Sequence, residues 1–207
     1  HFGRIEYVYY LMAITCDIEM MESRLLTENN RYHFMTRRFD RIGNREKLHT
    51  QTLCGLAHFD FNSPGMYAYE QLFQTMRALR LPYYAAEQVF RRMTFNVVAR
   101  NQDDHTKNFS FLMNKNGVWH LAPAYDMTFA YNPVGKYTSL HQMTINGKQE
   151  EITRANLLHV AEAMNIKKAN EIINEVVAAV SQWGRIAKEQ GIPASQISMI
   201  GKTHLLL

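Results

Sequence analysis

Three oxygen-bearing side chains stand at spacings that suit phosphate chemistry: Asp103, Asn108 five residues on, and Asp126 beyond a short β-like stretch. An amide oxygen and a carboxylate are hard ligands, and Mg²⁺ takes one or two such protein groups beside substrate phosphates. A further carboxylate within reach can accept a hydroxyl proton. The residues between, Phe109–Met113 and Val118–Leu121 joined by Asn114-Lys115-Asn116-Gly117, read as a β-hairpin. Pairing Met113 with Val118 sets Asn108 roughly opposite Pro123. Asn108 and Asp126 are then expected side by side at the open end of the hairpin, with Asp103 on the loop leading in. A plainer reading competes, because Asp and Asn also cap helices and close turns in polar loops.

Protein kinases place a catalytic-loop Asp five residues before a metal-binding Asn, and a second metal-binding Asp after a hairpin. Here the wording is Asp-x-His-x-Lys-Asn followed by Ala-Pro-Ala-Tyr-Asp, which departs from His-Arg-Asp and Asp-Phe-Gly. It resembles the C-terminal kinase region of HipA-like Ser/Thr kinases, the toxins of bacterial toxin–antitoxin pairs. The resemblance implies that Asp103 takes the proton of the acceptor hydroxyl and that Asn108 and Asp126 hold Mg²⁺ against ATP. It also implies phosphate contacts from His105 and Lys107, a catalytic share for Lys107, and a place for Tyr125 in the nucleotide site. Arg37, Phe39 and Asp40, in an Arg-Phe-Asp-Arg stretch, would line the adenine pocket; a surface strand end with an Arg–Asp pair is the alternative. Glu6 resembles the helix Glu that pairs with an ATP-binding Lys, or is an ordinary exposed helix Glu. A protein substrate, an aminoacyl-tRNA synthetase in some relatives, and a DNA-binding antitoxin follow as implied partners, with DNA reached only through the antitoxin.

The elements that must position these groups are read from periodicity. Ile5, Val8, Tyr9 and Met12 mark a first helix. Residues 17–40 have β texture, with a turn at Glu28-Asn29-Asn30. Residues 43–67, including Asn44, read as loop-rich, with a short helix within Lys47–Leu56. Helices follow over Tyr69–Arg80 and through Ala86, Val89, Phe90, Met93 and Val97 to Arg100, the second delivering the chain to Asp103. Residues 127–135 form a loop where a kinase keeps its activation segment, or a surface loop pinned by Phe129 and Tyr131. Thr153 suits a helix N-cap, a stripe from Ala169 to Trp183 is strongly amphipathic, and Pro193 opens a last helix. The expected fold is α+β and kinase-like, with a partial small lobe over 1–41 and a mostly helical large lobe over 42–207.

With 207 residues, 46% of them hydrophobic, the chain can bury a substantial core. Lys and Arg exceed Asp and Glu by 23 to 19, too small a surplus to argue for nucleic acid. Cys16 and Cys54 read as free thiols in a reducing cytoplasm, and no apolar run suggests a membrane span. Neither a zinc-hydrolase spacing nor a Gly-x-Ser-x-Gly elbow occurs. The chain opens on His1 inside a helical pattern and has no Gly-rich phosphate loop, so a piece of a longer protein is expected. The non-enzyme alternative is a catalytically incompetent kinase-like fragment that binds a partner protein.

Overall fold

Helix α4 (Tyr83–Val98) is the axis on which the other elements are hung. The structure, a computed structural model, describes residues 1–43 and 46–207; the expectation that Asn44 lies in a loop falls outside them. Val89, Phe90, Met93, Phe95, Val97 and Val98 of α4 are all inaccessible to solvent. Each such side chain contributes about 1.5–3 kcal/mol by leaving water. They pack against helix α1 (Phe2–Thr15), helix α3 (Tyr69–Ala78) and helix α6 (Ala169–Ser181) in a single continuous core.

The remaining helices are α2 (Leu53–Leu56), α5 (Arg154–Ala163), α7 (Trp183–Glu189) and α8 (Ala194–Gly201). The long stripe expected from Ala169 to Trp183 is therefore two helices, meeting at Gln182. Thr153 does stand at the N-cap of α5, where Asn156 Oδ1 accepts from both its N–H and its hydroxyl. Pro193 occupies the N-cap of α8.

Six helices, α1, α2, α3, α4, α5 and α7, end the same way. The residue after the C-cap (Asp17, His58, Arg80, Arg100, Asn165, Gly191) takes positive φ. The following N–H (Ile18, Phe59, Leu81, Asn101, Ile166, Ile192) returns to a carbonyl in the last turn, satisfying groups a helix end leaves open. Five of the six place an apolar residue in that returning position, as the motif favours. Only α4 places a polar one, Asn101.

Among the described residues seven short strands form three sheets. Strands β1 (Ser23–Glu28) and β2 (Arg31–Thr36) make an antiparallel ribbon, Ser23 opposite Thr36. Its turn uses Asn29 and Asn30 at φ 48° and 59°, the doubly left-handed geometry that suits a two-residue hairpin. Gly3 of α1 lets β2 come close: a Cβ there would sit 2.5 Å from Tyr32 O. Ile18–Met20, expected with this sheet, instead crosses to the other side, where Met20 bridges Ala124. Strands β3 (Arg41–Ile42) and β4 (Glu46–Lys47) pair with each other.

The third sheet carries the site. Strands β5 (His49–Thr52), β6 (Ser110–Met113) and β7 (Trp119–Leu121) lie in the order β5-β6-β7. The region read as loop-rich thus supplies an edge strand, and only Leu53–Leu56 of the expected Lys47–Leu56 helix is helical. The β6–β7 hairpin is real, but Met113 faces Trp119 instead of Val118. Asn114 N–H bonds Val118 O, so the loop has three residues, with Gly117 at φ 76°. Asn114 Oδ1 accepts the N–H groups of Asn116 and Val118 and fixes that shorter turn. The register moves by one residue.

Candidate functional site

The loop from Asn101 to Phe109 is fastened to its surroundings at several points. Gln102 N–H reaches Ala130 O, Cys54 N–H reaches Thr106 O and Leu53 N–H reaches Phe109 O. The central bolt is Asp104, fully buried, whose carboxylate accepts from Tyr69 Oη, His141 Nδ1 and Gln142 N–H, each at 2.8 Å. Its neighbour Asp103 is the opposite. That side chain is 45% exposed, and the basic side chain beside it is His105, whose Nε2 lies 3.9 Å away. Partial burial raises the Asp103 carboxyl above the ordinary range; His105 opposes the rise, and the charges of Asp126 and Asp104 add to it.

Asn108 turns its side-chain amide inward, Nδ2 donating to Asp103 O at 2.8 Å. That leaves its Oδ1 as the acceptor it can offer a cation, and Asn108 lines one small cavity together with Asp126. Asp126 is exposed at φ 55°, a left-handed conformation that aspartate tolerates better than most residues. The segment before it is tied from two sides. Ala124 N–H bonds Glu19 O at 2.7 Å, and Tyr125 Oη donates to Lys107 O while lying 2.6 Å from Ser110 Oγ. Since the phenol has one proton, Ser110 is the donor in that second contact. Tyr125 therefore ties the Asp126 segment to the loop that bears Asp103 and Asn108. Glu6, on α1, is half-buried, and its carboxyl is raised by burial and then by the charge of Asp126.

The other expected residues are placed unevenly. Phe39 packs on Tyr125, ring centroids 5.3 Å apart. Arg37 is exposed on the ribbon, its N–H bonded to Glu22 O. Asp40 is held by Arg38 at 2.7 Å and by Arg41, and the Arg38 hydrogen bond lowers its carboxyl pKa. The Lys107 ammonium sits over the Phe61 ring, 2.9 Å from its centroid, a partner the sequence reading did not name. His105 Nδ1 is buried with no hydrogen-bond partner.

What sequence reasoning missed is the polar face of α4. Gln88, Arg92 and Asn96 recur every four residues, and all are buried. Gln88 holds Glu19 N–H and Asp17 O, Arg92 holds Ala122 O, and Asn96 donates to Tyr69 Oη. An i, i+4, i+8 run of polar residues inside so deeply buried a helix was the available signal.

The family model described as HipA-like C-terminal domain matches residues 1–183. The chain belongs to this family. No match is found among curated proteins. Among solved structures, HipA and HipB of Shewanella oneidensis MR-1 in a toxin–antitoxin complex with operator DNA include a similar chain, with TM-score 0.77 and 18% identity. That match covers 98% of this chain and 54% of the other, so the HipA-like domain spans about half the length of its structural relative. At this identity the likeness establishes the fold: mixed α and β, with small sheets and, among the described residues, eight helices.

The donor set fits a magnesium nucleotide better than a bare structural ion. Among the described residues no three His, Cys, Asp or Glu side chains converge to hold a metal alone. One carboxylate and one amide oxygen, completed by phosphate oxygens and water, is the pattern Mg²⁺ accepts. Among the described residues no helix is long and apolar enough to cross a membrane.

Proposed function

We propose that this HipA-like domain is the larger part of an ATP-dependent Ser/Thr protein kinase, the toxin of a toxin–antitoxin pair, with kinase-like lobes meeting at Tyr125 and Phe39. The observation that carries the proposal is the orientation of Asn108. Its nitrogen is committed to Asp103 O, which leaves its oxygen free for a ligand, and Asn108 and Asp126 line the same small cavity. In this reading Asn108 Oδ1 and the Asp126 carboxylate hold Mg²⁺. Bound Mg·ATP would supply the γ-phosphoryl group and the cation that screens its charge. Asp103, exposed and free of a tight partner, would receive the proton of the protein hydroxyl as that oxygen bonds to the γ-phosphorus and the bond from that phosphorus to the departing ADP breaks. Such transfer depends mainly on positioning and charge stabilisation, and the buried Asp104 anchor supplies the positioning. His105 and Lys107 flank the phosphates, Lys107 leaving Phe61 to do so. Phe39 and Tyr125 offer an aromatic wall to the base, with Arg37 and Asp40 at its rim.

A DNA-binding antitoxin is the partner this reading calls for, since the solved relative is held in a complex with HipB and operator DNA. The cytoplasm is the corresponding compartment. The test is transfer of label from [γ-³²P]ATP to protein in a cell lysate, using the full-length protein. Wild type should label a protein band, and Asp103→Asn and Asp126→Asn should each lose the signal. Labelling that persists in Asp126→Asn would remove the metal-centred reading.

A further inference from the structure

The polar face of α4 ends in two atoms that have no partner. Arg92 is buried, and its Nη2 donates to Ala122 O at 2.9 Å, but its Nε–H bonds nothing. Burial pushes this guanidinium down to about 10. Asn101 stands where the other five helix ends of this kind place Ile18, Phe59, Leu81, Ile166 and Ile192. Its Nδ2 donates to Asn96 Oδ1 at 2.9 Å, while its own Oδ1 accepts nothing.

Both side chains line one small cavity, and its other wall includes Asn108, Tyr125 and Asp126. The cavity leaves ≈ 10 Å³ for the centre of a water, at the lower bound for a single molecule. A buried, unpartnered donor and a buried, unpartnered acceptor on two residues that line one water-sized cavity are what an internal water satisfies.

We propose that Arg92 Nε and Asn101 Oδ1 share one internal water beneath Asn108 and Asp126, and that this bridge makes Arg92 and Asn101 positioning residues for those two oxygen ligands. The hydrogen-bond directions agree along the whole path. Tyr69 Oη donates to Asp104 and accepts from Asn96 Nδ2, and Asn96 Oδ1 accepts from Asn101 Nδ2. Asn101 Oδ1 then accepts from the water, which itself accepts from Arg92 Nε–H. The second water proton is left for the wall that bears Asn108 and Asp126. A metal ligand is commonly held by such an outer partner. The positioning half of the inference rests on reading Asn108 and Asp126 as metal ligands; the water does not.

Two measurements on the full-length protein test it. A crystal structure at a resolution that shows ordered solvent should contain density within hydrogen-bonding distance of Arg92 Nε and Asn101 Oδ1. Mn²⁺ affinity, read by electron paramagnetic resonance in the presence of a non-hydrolysable ATP analogue, should fall about 10–100-fold in Asn101→Leu and in Arg92→Lys. Arg92→Lys keeps the charge but removes the Nε–H, and it carries the test if Asn101→Leu does not fold. Thr94→Val deletes another partnerless buried hydroxyl of α4 that does not line this cavity, and it should leave Mn²⁺ affinity unchanged. A dry cavity overturns the inference, as does wild-type Mn²⁺ affinity in Arg92→Lys, or an equal loss in Thr94→Val. If the wild-type protein binds no Mn²⁺, the metal reading fails and the positioning half falls with it, while the density alone still decides the water.

Discussion

Two hairpins frame the candidate site, and they are held in opposite ways. In the β1–β2 ribbon only Ser23 is buried, and Leu26 and Met35 remain open to solvent. The β6–β7 hairpin is paired along one edge by β5, buries Ser110 and Phe111, and has its ends tied by Tyr125 and the Asp104 network. A two-stranded ribbon is marginal by itself, whereas three strands against a helical core are not. The difference falls along the proposed division of labour. Residues assigned to metal and proton transfer sit on the bolted hairpin. Those assigned to the base follow the open ribbon, where Arg37 is exposed, Asp40 is held by its neighbours Arg38 and Arg41, and Phe39 reaches across to Tyr125. The chain fixes the phosphate end of the site and leaves the base end to weaker contacts.

The comparison breaks most visibly at the neighbouring aspartates. Asp104→Ala strands Tyr69 Oη, His141 and Gln142 N–H in a dry interior, and should cost about 3–5 kcal/mol of stability, read as a lower denaturation midpoint. Asp104→Ala should therefore lose phosphoryl transfer together with the folded loop. Asp103→Asn should abolish phosphoryl transfer while leaving the midpoint unchanged or higher at pH 7. The sign follows from its raised carboxyl. A charge disfavoured in the fold lowers stability above the folded-state pKa, and that penalty disappears as pH falls below the ordinary aspartate value. The gain in Asp103→Asn should therefore shrink on acidification. A large loss of stability in Asp103→Asn at neutral pH would contradict the contrast.

The turns give the next largest effect. Gly117 at φ 76° has open space around it, so Gly117→Ala meets no clash and costs only its left-handed backbone, about 1 kcal/mol. Asn30→Gly in the ribbon, at a similar φ, should be close to neutral, because Asn already tolerates that region. The chevron or equilibrium midpoints of the pair settle whether the bolted hairpin depends on its turn more than the open one.

These same residues explain how far the sequence could be read. Helices α1, α3 and α4 were legible because their stripes are local and apolar. The hairpin was legible from Asn114 and Gly117, but its register was not, since a side chain of Asn114 shortened the loop. Strand β5 escaped because His-Thr-Gln-Thr has no alternation, and its pairing with β6 is made some sixty residues away in sequence. Asp103, Asn108 and Asp126 were legible by spacing. Asp104 differs from Asp103 only through Tyr69, His141 and Gln142, three partners at least 35 residues distant, which no local pattern encodes.

The smallest expected effect lies at an aromatic contact between the two regions. Phe39 packs on Tyr125 at a tilt of 32°, and such a pair contributes about 0.5–1.5 kcal/mol beyond its buried area. Because Phe39 is only half-buried on a ribbon otherwise open to solvent, Phe39→Ala should shift the melting midpoint by little. If the base end of the site depends on this aromatic wall, the same substitution should raise KM for ATP several-fold with kcat nearly unchanged, the pattern of lost ground-state binding. Equal loss in kcat would mean that the ribbon also positions Asp126 through Tyr125, and the division between a fixed phosphate end and a loose base end would have to be abandoned.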